Sequence, residues 1–280
     1  MPIFNPKELH AFLQEEGLAA KKHLSQNFLI DGNILRKIVH TADVHEGDIV
    51  FEIGPGPGAL TEELLKAKAH VTAIEMDKQL AKLLERLKKE DNHLNVIQQD
   101  CLDFAWEAYF EKHLPEGKKA KIVANLPYKI TTPILARLLP LHQYISSITV
   151  MVQHEVGVRF IAQKNTADYS SFTIFLSYYA HAKYCFTISP NCFYPKPKID
   201  SALVHLTLKE PQRLDSPEAF FQFVRSCFQK RRKMLRSSLK EIYPPERVEH
   251  FLKELGLSPL ARPEELSLQN FIFLYQSLKE

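Results

Sequence analysis

The chain has 280 residues, 45% of them hydrophobic and 25% charged, with a net charge of +3. That is ordinary globular composition, sufficient for one large core and a smaller second one. No run approaches the roughly 18 apolar residues of a membrane span, and the opening MPIFNPKELHAF has no apolar stretch of signal type, so the expectation is a cytoplasmic protein. Four scattered cysteines (Cys101, Cys185, Cys192, Cys227) without a CxxC pair read as reduced thiols. Twelve histidines show no HExxH-type spacing, so no metal is expected.

From about residue 48 to 152, short apolar runs alternate with helical patterns. DIVFEI (48–53) reads as a buried strand, closed by the glycine-rich turn Gly54-Pro55-Gly56-Pro57-Gly58. LTEELLKA has helical spacing, and HVTAI (70–74) is a second strand. KQLAKLLERLKKE then sets Leu80, Leu83, Leu84 and Leu87 on one helical face, with charges elsewhere. LNVIQQ, KIVANL and SITVMVQ continue the strands, with helical TTPILARLL among them. Strands alternating with helices imply an α/β, Rossmann-like fold, a parallel sheet covered on both faces. KEPQRLDSPEA (209–219) breaks the pattern; beyond it AFFQFVRSCF, RVEHFLKELG and LQNFIFLYQSL are helical by period. The expected division is an α/β domain over 1–210 and a small all-helical domain over 211–280.

The turn after the first strand is the first chemical signal. Glycines there let the chain bend sharply and let a ligand approach the main chain. The spacing is GxGxG rather than the GxGxxG of dinucleotide sites, and two prolines remove amide donors that a pyrophosphate would need. An acid, Glu75, ends the second strand about twenty residues on, where such acids hold a ribose diol. Asp100-Cys101 ends the third strand, where a carboxylate can accept from an adenine amino group. The plainer reading is a tight turn, with Glu75 and Asp100 capping helices. Acids at two successive strand ends favour an adenosine-containing cofactor, because ligands of such folds bind at that edge.

The fourth strand ends in Asn125-Leu126-Pro127-Tyr128. The lone pair of an adenine N6 is delocalised into the ring, which makes it a poor nucleophile. The Asn125 carboxamide oxygen and a backbone carbonyl at Leu126 or Pro127 can together hold both N6 hydrogens and turn the lone pair towards a methyl donor. Pro127 adds rigidity, and Tyr128 offers a ring for the base to stack on. Taken alone, the four residues also fit an Asn turn with a proline bend and a core tyrosine.

These segments resemble the ribosomal RNA adenine dimethyltransferase family, most nearly its bacterial branch acting on the small subunit, over nearly the whole chain. Lys22-His23-Leu24-Ser25-Gln26-Asn27-Phe28-Leu29 is similar to the family's N-terminal cofactor motif and FEIGPGPGALT to its glycine loop. Glu75-Met76-Asp77, Asp100 and Asn125-Leu126-Pro127-Tyr128 are similar to its cofactor acids and catalytic motif. Gln153–Arg159 and Phe193–Ser201 (FYPKPKIDS) resemble two later signatures. The resemblance implies a class I methyltransferase sheet that binds S-adenosylmethionine through Asn27, Leu29, Gly54, Gly56, Glu75, Asp100 and Asn125, with Met76 and Cys101 beside the adenine. It also implies that Phe193 stacks on the target base opposite Tyr128. Ser25 stands where the family usually has glycine and Gly157 where it often has alanine, and Tyr169–Phe172 is looser than its pattern.

Lys230, Arg231, Arg232, Lys233, Arg236 and Lys240 crowd QKRRKMLRSSLK, where helical spacing puts Arg232 and Arg236 on one side. Lys196 and Lys198 flank Phe193. A charge run is usually a solvated face, but these groups suit the phosphates of an RNA presenting an unstacked adenine. The resemblance implies dimethylation of two adjacent adenosines in the 3′-terminal hairpin of 16S rRNA, with a role in small-subunit biogenesis, by a monomer. The alternatives are a resistance-type dimethyltransferase of large-subunit rRNA and a non-catalytic ribosome-assembly factor. A nicotinamide dehydrogenase fits the proline-bearing loop least well.

Overall fold

The computed structural model describes residues 6–15, 27–90, 92–230 and 233–279. The described chain forms two compact units. One holds the residues up to Gly157 together with His181–Glu210; the other holds Val158–Ala180 and the residues from Pro211 onward.

The first unit is organised on a seven-stranded sheet. In chain order its strands are β2 (Ile49–Ile53), β3 (His70–Glu75), β4 (Leu94–Gln98), β5 (Ala120–Asn125), β6 (Ile145–Gln153), β7 (Ala180–Ile188) and β9 (Ser201–Leu208). Two further strands, β1 (Phe28–Leu29) and β8 (Phe193–Tyr194), pair antiparallel as a separate ribbon. The sheet order is β4-β3-β2-β5-β6-β9-β7. The five strands from β4 to β6 run parallel. β9 lies antiparallel to β6, an addition that the alternating pattern did not announce. The strands read from sequence fall within a residue or two of their limits, because strands buried on both faces are near-continuous apolar runs.

Helices α1 (Pro6–Glu15), α2 (Gly32–Thr41), α3 (Ala59–Lys66), α4 (Lys78–Leu84), α5 (Trp106–His113), α6 (Thr131–Leu138) and the start of α7 (His154–Phe160) belong to this unit. Asp31 caps α2 by accepting from Asn33 N and Ile34 N at 2.9 and 3.1 Å, a standard remedy for unsatisfied first-turn amides. The leucine face of KQLAKLLERL is buried at Leu80 and Leu84, although the α-helix stops at Leu84 and tightens to a 3₁₀ turn over Glu85–Leu87. Gly157 has a packing reason to lack a side chain: a Cβ there would lie 2.8 Å from the Ala202 methyl on β9.

The strand order fixes where a ligand can sit. From β2 the chain steps outward through β3 and β4, then returns to β5 on the opposite flank of β2 and continues to β6. Loops leaving β2 and β5 therefore diverge and open a crevice at their carboxyl ends.

The second unit is helical: α8 (Ser171–Tyr179), α9 (Pro217–Phe228), α10 (Leu235–Ser238), α11 (Pro245–Glu254) and α12 (Leu268–Lys279). This unit takes in Val158–Ala180 as well as the chain from Pro211 onward, so its make-up differs from a simple division at residue 210. The cause is aromatic packing. Phe175 and Tyr178 of α8 meet Phe221 of α9 edge-on at 4.8 and 5.2 Å, and Phe220 meets Tyr275 of α12 at 5.5 Å. Tyr169 donates its hydroxyl to the Leu266 carbonyl at 2.9 Å.

Candidate active site

A pocket opens at that crevice, walled by the ends of β2, β3, β4 and β5 and by residues Asn27 and Phe28. Of the residues singled out from sequence, Asn27, Gly54, Gly56, Glu75, Met76, Asp100, Cys101, Asn125, Leu126, Pro127 and Tyr128 all line it.

The glycine loop is shaped by backbone requirements. Gly54 and Gly56 hold φ of +66° and +57°, a region that disfavours side chains. A Cβ on Gly54 would project to 3.8 Å from Pro127 Cδ and 3.9 Å from the Asn125 carbonyl, and one on Gly56 would meet the Phe28 ring at 2.9 Å. Arg86 clasps the loop from outside, donating from Nη2 to the Pro57 carbonyl at 2.8 Å.

The acids divide their roles. Asp77 is a helix cap, accepting from Gln79 N at 2.9 Å. Glu75 is not: its two oxygens accept from Gly56 N at 3.0 Å and Asp77 N at 2.9 Å, binding strand end to glycine loop. Burial pushes its carboxyl above the ordinary value against these backbone donors. Asp100 accepts from Leu102 N at 2.8 Å through one oxygen. The Cys101 thiol is pushed up to about 12, first by burial and then by Asp100, and so stays protonated.

Sequence reasoning missed Glu52, the residue before the loop. It is buried, accepts from the Thr61 hydroxyl at 2.6 Å and is pushed up to about 8 by burial, with Glu75 adding to the shift. Its hydrophobic neighbours and its place inside a strand hid it; the signal was a carboxylate within an otherwise apolar run.

At the other end, Asn125 donates from Nδ2 to the Asn27 carbonyl at 3.0 Å, which leaves its carboxamide oxygen as an acceptor. The Pro127 carbonyl accepts from Ile130 N at 3.0 Å. Among the described residues the Leu126 carbonyl carries no such bond. Tyr128 is half-buried, with its hydroxyl 2.8 Å from Ser201 Oγ, and burial raises its pKa, so it remains neutral. Lys129, also overlooked, is an exposed cation in the pocket wall.

Two expected site residues lie elsewhere. Phe193 is 3% exposed and sits in the core with Leu29, Leu35 and Ile188, paired across β8 to Leu29; it is not positioned to stack on a base. Leu29 is likewise buried in the core; it does not line the main pocket but walls a small cavity next to it with Gly54, Pro55 and Asn125. The family signature marks these positions, but the ribbon between β1 and β8 turns both side chains inward.

The basic segment also departs from expectation. It is not one helix: α9 ends at Phe228, Met234 is extended, and a four-residue α10 follows. Arg236 is ion-paired with Glu249, and Lys230 lies 3.9 Å from Glu241. Arg231 and Arg232, like Lys22–Gln26 of the N-terminal motif, lie outside the described residues. Lys196 and Lys198 are exposed and carry no ion pair among the described residues. No helix among those residues is long and apolar enough to cross a membrane, and no cluster of three or more His, Cys, Asp or Glu is placed to hold a metal.

Comparison with known proteins agrees with the geometry. The family model for ribosomal RNA adenine dimethylase matches residues 17–280. The ribosomal RNA small subunit methyltransferase A of Protochlamydia amoebophila is 50% identical over 99% of this chain and 98% of its own length. The protein of that name from Chlamydia muridarum is 43% identical over 98% of each chain. Among solved structures, a dimethyladenosine transferase from Plasmodium falciparum superposes with a TM-score of 0.76 at 26% identity, covering 90% of this chain and 97% of its own. The 23S rRNA methyltransferase ErmE gives 0.68 at 29%, covering 91% and 100%. With a match of this extent, the chain belongs to the ribosomal RNA adenine dimethylase family.

Proposed function

We propose that this protein dimethylates N6 of two adjacent adenosines in the 3′-terminal hairpin of 16S rRNA within the small ribosomal subunit, in the cytoplasm, as a monomer and as part of subunit maturation. The observation that carries the chemistry is the Asn125 carboxamide, tethered by its nitrogen and left with an acceptor oxygen in the pocket wall at the strand switch point.

The lining suits S-adenosylmethionine. It offers carboxylates at two strand ends, prolines where phosphate-binding loops have amide donors, and a glycine surface that a Cβ would fill. That cofactor supplies an electrophilic methyl group on a sulfonium. Glu75 and Asp100 would hold its ribose and adenine, with Met76 and Cys101 beside the base and Asn27, Gly54 and Gly56 bordering the rest. On the substrate side, the Asn125 oxygen and the Leu126 carbonyl accept the two N6 hydrogens; the Leu126 carbonyl is favoured over that of Pro127, which already accepts from Ile130 N. One acceptor is on the backbone and the other is a side chain tethered through its nitrogen, so the lone pair is oriented before reaction, and positioning rather than a strong base lowers the barrier. Neutral Tyr128 contributes a ring face and no proton transfer. The proton leaves once nitrogen has become cationic. Lys196, Lys198, Lys230, Arg231, Arg232 and Arg236 are the RNA contacts read from sequence; Lys196 and Lys198, exposed and without an ion pair among the described residues, are best supported, and Arg236 least, because Glu249 already neutralises it.

The alternative target is large-subunit rRNA. Identities of 50% and 43% to full-length small-subunit enzymes, against 29% to ErmE, support the small subunit. Mass spectrometry of rRNA digests after incubation of undermodified ribosomal subunits with protein and cofactor tests this. Dimethyladenosine is expected at two neighbouring positions in 16S rRNA; modification confined to 23S rRNA rejects the assignment, and no incorporation supports a binding-only assembly factor.

A further inference from the structure

The FYPKPKIDS segment enters the site by a route its sequence did not suggest. Phe193, at its start, is locked in the core, but Ser201, at its end, reaches the catalytic motif. Ser201 is fully buried and opens β9 opposite Gln153 of β6. Because β9 runs against β6, its first residue lands at the carboxyl edge of the sheet, the same edge on which β5 delivers Asn125 and Tyr128. There its hydroxyl lies 2.8 Å from the Tyr128 hydroxyl, 73 residues away in sequence.

The other end of the same segment holds the other catalytic side chain. Phe193 and Tyr194 pair with Leu29 and Phe28, and the adjacent Asn27 carbonyl receives the Asn125 amide. The strap from β8 to β9 thus bears on both members of the motif, on Asn125 through β1 and on Tyr128 directly.

We propose that Ser201 is a positioning residue for methyl transfer, fixing the Tyr128 ring so that its face, rather than its edge, is presented to the incoming base. A tyrosine in a 3₁₀ turn has two side-chain torsions to settle, and its half-buried ring has open pocket on one side. A hydroxyl anchored to a buried strand residue removes that freedom before substrate arrives, which matters where orientation sets the rate. The inference rests on the reading of Asn125–Tyr128 as the transfer site.

The test is methylation kinetics and cofactor calorimetry on the full chain with Ser201→Ala, Tyr128→Phe, the double variant and Asn125→Ala. Loss of one such hydrogen bond predicts a fall in kcat/KM for RNA of about tenfold in each of the first two, with cofactor affinity unchanged. Because both remove the same bond, the double variant falls no further than either single one. A purely structural role for Ser201 lowers the melting temperature and cofactor affinity together with turnover, and overturns the proposal; additive losses, which mean that the two residues act independently, overturn it as well. Should Ser201→Ala not fold, Tyr128→Phe still decides, since it leaves Ser201 in place: unchanged turnover there overturns it. Near-normal activity in Asn125→Ala signals failure of the underlying reading instead.

Discussion

The two ends of the pocket are held by different kinds of connection. At the glycine-loop end, the cofactor end of the proposed function, Glu75 binds Gly56 and Asp77 by backbone amides, and Asp77 caps the helix that follows it; partners lie within about one βαβ unit of each other. At the transfer end, Asn125 is tied to Asn27 and Tyr128 to Ser201, across 98 and 73 residues. The first end is secured as its own motif folds. The second is complete only when the N-terminal ribbon and the late strand β9 have both arrived. Damage to the cofactor end should therefore appear as lost affinity and stability, and damage to the transfer end as lost rate in a protein that still binds.

The sharpest test of that contrast is Asn125→Ala, expected to lower kcat by about 10²–10³-fold, the cost of removing a group that acts mainly in the transition state. Calorimetry should find cofactor affinity far less affected; comparable losses in both would erase the distinction between the ends. Gly56→Ala probes the opposite end. At φ +57° and 2.9 Å from the Phe28 ring, a methyl group should cost about 1–3 kcal/mol. A lower melting temperature and weaker cofactor binding should accompany it, with turnover at saturating cofactor falling least.

Glu52 adds a pH dependence to the cofactor end. Its carboxyl is raised from 4.5 to about 8 by burial, so the fold favours the protonated form. The stabilisation from that proton is fully present below about pH 4.5 and is lost as pH climbs through about 8. Glu52→Gln should remove this component, flattening the fall in melting temperature over that interval by the equivalent of a few kcal/mol. A parallel decline in both proteins would place the titration elsewhere. The smallest effect expected is on RNA. Replacing Lys196 and Lys198 with alanine should reduce the salt slope of binding by no more than about two counterions, measured by RNA affinity across a salt series, with cofactor affinity unmoved.

The contrast between near and distant partners also explains what could be read from the sequence. β2 to β6 and the pocket acids were legible because each is a local pattern: a buried apolar run, then a turn residue or an acid. β7 (AHAKYCFTI) was not, because it lies at the sheet edge and its side chains are mostly exposed or half-exposed. The two-residue strands β1 and β8 carry no periodicity at all. Phe193 was misplaced for the same reason: a motif names the residue, but the side on which its ring falls depends on pairing with Leu29 far upstream. The basic run failed differently. Helical spacing assumed one continuous helix, whereas α9 stops at Phe228 and the chain turns before α10.

One property of the lining bears on the enzyme's own survival. Sulfonium compounds alkylate thiolates, and Cys101 stands in the wall of a pocket suited to one. With its pKa pushed up to about 12, the thiol stays protonated at neutral pH. Burial thus keeps a soft, polarisable atom in the pocket wall while denying it the nucleophilicity that would turn such a reagent against its host.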